Sequence, residues 1–396
     1  MHSHIMIPKI GIKLLKIKSK AKHRIYILLM PLYFFFAQNC SNENGIIATF
    51  DYRKDQIKNK FIKDPSLSVF SVNLNKINNT WIIKGQTTDT SAYKSILRLK
   101  DSLFNNIIID NKFILLPDSI LGKQLYGIVN VSVTPIREEP MHSSQMVDQA
   151  IMGNIIRLLQ YHNGWYLTQT HYDYVGWINK SGLFITDNNG KNNWINNADK
   201  VFKRLQGTIF SEPNEHSLPV ADIVLNNIVV TKPHDNVWTK LYLPDGRNGF
   251  IKKEFLKEKR DEYGHNTTPN DIISLAKKMM GTPYLWGGNS TKGNDCSGFT
   301  QTVYKANSIQ LPRDARQQAL VGDPVFPSKN WGNILPGDLL FFGRNNRVTH
   351  VGISLGQKEF IHQGGKVDIN SLDELSTTFS HSRFESFLFV RRILAN

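Results

Sequence analysis

Hydrophobic and polar positions along the chain fall into short stretches of two periods. In "SVFSVNLNK", Phe70, Val72 and Leu74 alternate with Ser71, Asn73 and Asn75, the two-residue period of a half-buried strand. "TWIIKGQT" predicts a second strand, and the Asn78-Asn79 step between them predicts a turn. "SAYKSILRLKDSLF" then places Tyr93, Ile96, Leu97, Leu99, Leu103 and Phe104 at near-helical spacing, with Thr90 or Ser91 as the cap. "NIIIDNKFILLP" returns to strand character. Residues 45–125 are therefore expected to form a small α+β domain, and no chemical site is legible in them.

Residues 126–258 contain an internal repeat. An offset of 73 residues lays Glu139-Pro140 on Glu212-Pro213, Trp165 on Trp238, Gly176-Trp177-Ile178 on Gly249-Phe250-Ile251 and Lys180 on Lys253, without gaps. So many coincidences at one offset indicate a duplication. The two copies, 126–190 and 191–258, are short, rich in strand formers and broken by turns such as "PDGRNG", which predicts two small β-barrels. "GWYLTQTHYDYVGWI" resembles the closing strands of bacterial SH3-like modules, a likeness that implies wall-polymer binding or docking against a catalytic domain. The copies differ at Tyr174, which meets Arg247, so any role for a phenol there belongs to the first copy. Glu139 meets Glu212, which also suits a plain turn glutamate before proline.

"LKEKRDEYGHNTT" is polar and charged and reads as a linker. Pro269 then opens a helix, "PNDIISLAKKMMG", with Ile272, Leu275, Ala276 and Met279 on one face and Gly281 at its end. A last domain, residues 265–396, follows. After the glycine-bearing loop "GTPYLWGGNSTKGN" comes "DCSGFTQTVYKAN", a helix expected to begin near Cys296 with Asp295 as N-cap. Gly287, Gly288 and Gly293 suit close approach of backbone to a ligand. A cysteine in a first helical turn is favoured as thiolate, the reactive form. "DLLFFG", "THVGISLG" and "EFIHQGG" predict three consecutive antiparallel strands, which would make His350 and His362 cross-strand neighbours. Cys296, His350 and His362 then form a candidate relay of nucleophile, base and orienting group.

Charge and cysteine content narrow the class. The formal charge is +15, but seven of the basic residues lie before residue 25 with no acid among them, and the rest of the chain carries +8. With no dense basic stripe, the chain is expected to meet an anionic envelope surface and no nucleic acid. The basic segment leads into an apolar run, Ile25 to Ala37, shorter than a membrane span and suited to a secretory signal within residues 1–40. Cleavage near Ala37 and lipid attachment at Cys40 both fit. Asn39 makes a poor residue before a lipidated cysteine, while polar "SNENG" after it suits a tether. The chain has two cysteines. If Cys40 is lipidated or lies in a loose tail, Cys296 has no disulfide partner, and a lone exported thiol is a liability unless its reactivity is used. The spacing of His and Cys matches no zinc site, so no metal or other cofactor is expected.

"PYLWGG", "DCSGF", "LPRDARQQ", "LPGDLLFF", "VTHVGI" and "FIHQGG" occur in that order between residues 270 and 393. Together they resemble the NlpC-type cell-wall cysteine peptidases, which have a papain-like fold. With paired SH3-like modules upstream, the chain resembles the subgroup that cleaves γ-D-glutamyl bonds to diamino acids in peptidoglycan stem peptides. The resemblance implies a multidomain α+β protein with Cys296 as nucleophile, His350 as base and His362 as orienting residue. It further implies Tyr284 at the oxyanion, and Asp314, Glu139 and Tyr174 reading the free amine of a terminal L-alanine. Arg313 would accept the D-glutamate α-carboxylate, and Asp295 and Ser297 would line the same pocket. Two departures stand out: Ala315 replaces a serine common in the family, and Glu138 beside Glu139 offers a second acid. A site that reads an amine rejects stem peptides still amide-linked to glycan, because its polar groups would stay buried and unpaired at a cost on the order of 1–3 kcal/mol. The expected partners are stem peptides, plus a membrane if Cys40 is lipidated. Oligomeric state is left open, with a monomer favoured, and the third stem residue stays open between diaminopimelate and lysine. Alternatives are an amidase or acyltransferase on the same scaffold, or an inactive wall-binding protein.

Overall fold

A computed structural model describes residues 26–105, 107–259 and 267–394, with side chains from residue 43 onward. The basic segment before residue 25 and the side chain of Cys40 lie outside the described residues. A helix, Tyr26–Phe61, runs through the apolar stretch and through "SNENG", so the segment expected as a tether is helical. The reason is packing: Ile46, Ile47, Phe50 and Ile57 sit at helical spacings and pack against Val72, Trp81, Ile83 and Ile96. No helix among the described residues is long and apolar enough to cross a membrane.

Strands Phe70–Ile77, Thr80–Thr87 and Ile109–Leu115 form the sheet of this first unit, and helix Thr90–Leu103 covers it. Asn78 and Asn79 make the tight turn with φ of 47° and 64°. The helix cap is Asp89, whose carboxylate accepts from the Ala92 N–H at 2.7 Å, and not Thr90 or Ser91. Aspartate one residue earlier reaches the free N–H groups of the first turn.

The duplication is visible element by element. Val133–Arg137 corresponds to Gln206–Phe210, Met146–Ile151 to Pro219–Val224, Trp165–Gln169 to Trp238–Tyr242, and Val175–Asn179 to Asn248–Lys252. Each copy is a seven-stranded sheet curled on its own core, around Ile136, Ile156 and Ile178 in the first and Ile209, Val229 and Ile251 in the second. Both copies dock on the last domain. The second does so through Asn226 to the Thr302 carbonyl and through an ion pair of Asp222 with Lys292.

The last domain is a six-stranded sheet with helices Pro269–Lys278 and Cys296–Ala306 packed against it. Leu339–Arg344, Arg347–Gly356 and Glu359–Gln363 are consecutive antiparallel strands, continued by Val367–Ser371. Ile272, Ala276, Phe299 and Val303 meet Leu339, Val351, Ile353 and Ile361 in one core.

Candidate active site

Helix Cys296–Ala306 starts at the cysteine, and Asp295 caps it by accepting from the Gly298 N–H at 2.8 Å. Cys296 is 9% exposed. Burial, and after it the Asp295 carboxylate, push the thiol up to about 11, against hydrogen bonds from the Val351 and Ser297 N–H groups. This corrects the expectation of a helix-favoured thiolate: desolvation and an adjacent anion outweigh the helix terminus, and the resting group is a thiol. Cys296 shares its core with Val351, on the strand that carries His350.

His350 and His362 are joined by a 2.7 Å hydrogen bond between Nε2 of the first and Nδ1 of the second. They are not directly opposite: Gly352 pairs with His362, and His350 lies two residues along the same face. Gly352 makes this contact possible, because a Cβ there would come within 3.0 Å of the His362 Cβ. His362 Nε2 lies 2.7 Å from Oδ1 of Asn370 on the next strand. The Asn370 amide is oriented by its Nδ2, which donates to the Thr378 carbonyl at 3.4 Å. Its oxygen must therefore accept, so His362 carries its proton on Nε2 and accepts at Nδ1. His350 then donates from Nε2 and keeps an unprotonated Nδ1. Burial, followed by Arg383 and His362, holds His350 well below the usual histidine range, and burial sets His362 at about 4. Both rings are neutral near pH 7, and His350 is competent as a base.

Cys296 opens into a cleft of about 260 Å³, lined also by Tyr174, Tyr284, Asp295, Ser297 and Asp314. Tyr284 is pushed up to about 12 by burial, then by Cys296 and Asp295, so its phenol stays a donor. At the far side the Tyr174 hydroxyl donates to Asp314 Oδ1 at 3.2 Å. Burial and the neighbouring Asp314 push the Tyr174 phenol up as well. A buried thiol and a carboxylate–phenol pair thus face one cleft, whose lining also takes Val348 and Thr349 from the strand that carries His350. The "NlpC/P60 family" model matches residues 281–385, which hold the thiol and both histidines.

The chain carries an NlpC/P60 peptidase domain. Residues 136–183 match the "Bacterial dipeptidyl-peptidase Sh3 domain". Dipeptidyl-peptidase 6 of Lysinibacillus sphaericus is 28% identical over 258 residues, 63% of this chain and 92% of that one. The gamma-D-glutamyl-L-lysine dipeptidyl-peptidase of Bacillus cereus is 26% identical over 237 residues, 56% of this chain and 68% of that one. The crystal structure of an NlpC/P60 family protein from Bacillus cereus shares the fold, with a TM-score of 0.59 and 22% identity over 68% of this chain and 100% of that one.

Two of the site expectations need correction. Arg313 is 2% exposed and has no donor left for a substrate carboxylate. Its five N–H groups go to Asp148, to both oxygens of Asp295, to Ser297 and to the Gly288 carbonyl. It is a buried clamp that ties the first barrel to the helix cap. Glu139 lies on an exposed turn and lines neither cleft, whereas Glu138 lines a second cleft continuous with Tyr174 and Asp314. The glycine loop also serves domain packing: Gly287, which lines the cleft, has φ of 71°, and a Cβ there would meet the Met146 carbonyl oxygen of the first barrel at 2.4 Å.

Sequence reasoning missed Asp148, Asn370 and Arg383. Asp148 had a signal, since the offset that pairs Tyr174 with Arg247 also pairs Asp148 with Ala221. The first copy diverges where it faces the peptidase domain. Asn370 and Arg383 are isolated polar residues with no spacing cue.

Proposed function

We propose that this peptidase hydrolyses the γ-D-glutamyl–diamino acid bond of peptidoglycan stem peptides that carry a free N-terminal L-alanine. The observation that carries the reading is the Tyr174–Asp314 pair facing the same cleft as Cys296. Two groups from different domains, one anionic and one a phenol, suit an ammonium at a fixed distance from the reacting carbonyl. The names of the curated relatives agree with a γ-D-glutamyl substrate.

His350 Nδ1 takes the Cys296 proton as the sulfur attacks the γ-carbonyl of D-glutamate. The Cys296 N–H, which has no intrahelical acceptor in the first turn, and the Tyr284 hydroxyl stabilise the oxyanion. His362 holds the His350 ring. The imidazolium of His350 then protonates the leaving amine of the diamino acid, and the C–N bond breaks. Water, deprotonated by His350, attacks the thioester and releases L-Ala-D-Glu and free Cys296. Asp295 and Ser297 shape the acyl side of the cleft, with Glu138 replacing Glu139 near the amine. Export to the envelope fits this substrate, with anchoring through Cys40 as its lipidated form.

Mass spectrometry of products from L-Ala-γ-D-Glu-diaminopimelate tests this reading. Wild type is expected to release the dipeptide and free diaminopimelate, and Cys296→Ala to release neither. Cleavage at another bond, or persistence of activity in the variant, would reject it.

A further inference from the structure

Both family matches begin after residue 135, and nothing so far gives the first domain a task. Its loop after helix Tyr26–Phe61 reaches the amine end of the cleft. Asp64 Oδ1 accepts from the N–H and hydroxyl of Ser66, which fixes the turn. The carboxylate then takes the fork of Arg316, with Nη1 at 2.7 Å and Nη2 at 2.8 Å, and the Gln317 amide at 2.7 Å. Those two side chains flank Asp314: Arg316 Nη2 donates to Asp314 Oδ2 at 2.9 Å, and Gln317 Oε1 accepts from the Asp314 N–H at 3.1 Å. The same loop is sewn to the first barrel beside Tyr174, where Val175 N–H donates to the Ser66 carbonyl at 2.8 Å and Gln169 to the Leu67 carbonyl at 3.2 Å. Three domains meet where Tyr174 meets Asp314.

Charge counting shows what Asp64 changes. Arg316 with Asp314 alone is a neutral pair, which offers nothing to a cation. With Asp64 added, one guanidinium is shared between two carboxylates, and the cluster carries a net charge of −1. Arg313 is already held by Asp148 and Asp295, while Lys58 and Glu138, which line the adjoining cleft of about 540 Å³, offset one another. Burial raises the Asp64 carboxyl, but the hydrogen bonds from Arg316, Gln317 and Ser66 outweigh it and keep Asp64 ionised.

We infer that Asp64 makes the first domain part of the substrate site, as the counter-charge that shares Arg316 with Asp314 and leaves the cluster the net negative charge that binds a peptide ammonium. This rests on the amine-reading function proposed above. Asp64 is a positioning residue: it touches Arg316 and not the peptide.

The test is calorimetric binding of L-Ala-γ-D-Glu and its N-acetyl form to full-length Cys296→Ala protein, with added Asp64→Asn, Arg316→Gln or both. Asp64→Asn should weaken the free-amine peptide roughly tenfold and leave the acetylated one unchanged, the effect of one unit charge at a partly solvated site. Arg316→Gln alone should bind the free amine at least as tightly as the starting protein. The double variant should recover the starting affinity, because the cluster again carries a net charge of −1. A purely structural latch predicts no recovery on losing its second half. An unchanged Asp64→Asn variant, equal weakening of both peptides, no recovery in the double variant, or no preference for the free amine in the starting protein would each overturn the inference. Cleavage of the tripeptide by the Cys296 protein separately reports whether the peptidase reading itself has failed.

Discussion

At the scale of single residues, the protonation states define what the site does at rest. Cys296 is a thiol raised to about 11, and His350 is a neutral base. Alkylation by iodoacetamide should therefore keep rising with pH from 7 to 10; a plateau below pH 7 would mean a preformed thiolate. The relay ends on Asn370, whose amide sets the tautomers of both histidines. Asn370→Ala should lower kcat about tenfold with KM nearly unchanged, because it frees the rings to take the wrong tautomer. An unaltered kcat in steady-state assays would remove Asn370 from the relay. The helix start at Cys296 and the pairing of His350 with His362 were legible in the sequence because each residue sits in a patterned stretch. Asn370 was not, since an asparagine on a strand carries no pattern. Arg313 was legible as a functional cation but misassigned, because a sequence does not show that a guanidinium's donors are all taken.

At the scale of elements, the periodic signals were strong where one face is buried. The strands and helices around Val72, Ile96, Ile272 and Phe299 follow their patterns because these side chains fill single cores. The 73-residue offset reports the barrels well for the same reason. What periodicity does not carry is docking between elements, and the clamp of Arg313 on Asp148 and Asp295 is such a contact, with Asp148 wholly buried. Arg313→Met should cost about 3–5 kcal/mol in urea unfolding, since it strands two carboxylates in the seam. A loss under 1 kcal/mol would show that the barrel is held by other contacts.

At the scale of the whole molecule, the paired histidines couple stability to pH. His362 titrates near 4 in the fold and His350 also lies well below 6.5, so the unfolded chain binds protons first. Their contribution is full above pH 6.5 and is lost as pH falls toward 4, with a slope of up to about 1.4 kcal/mol per pH unit for each ring. The denaturation midpoint should drop between pH 7 and 5, and His362→Asn should flatten that drop. The wider architecture explains why a sequence reading left the first domain without a task. Its contribution is one carboxylate brought beside Arg316 from 252 residues away, and such a distance leaves no local trace. The central claim, a cysteine peptidase gated by a free amine, is tested most directly by kcat/KM for L-Ala-γ-D-Glu-L-Lys against its N-acetylated form. The account predicts at least a tenfold preference for the free amine, the loss of the ammonium's charge-assisted hydrogen bonds to Asp314 and Tyr174 when it becomes an amide. Equal values for the two peptides would contradict it.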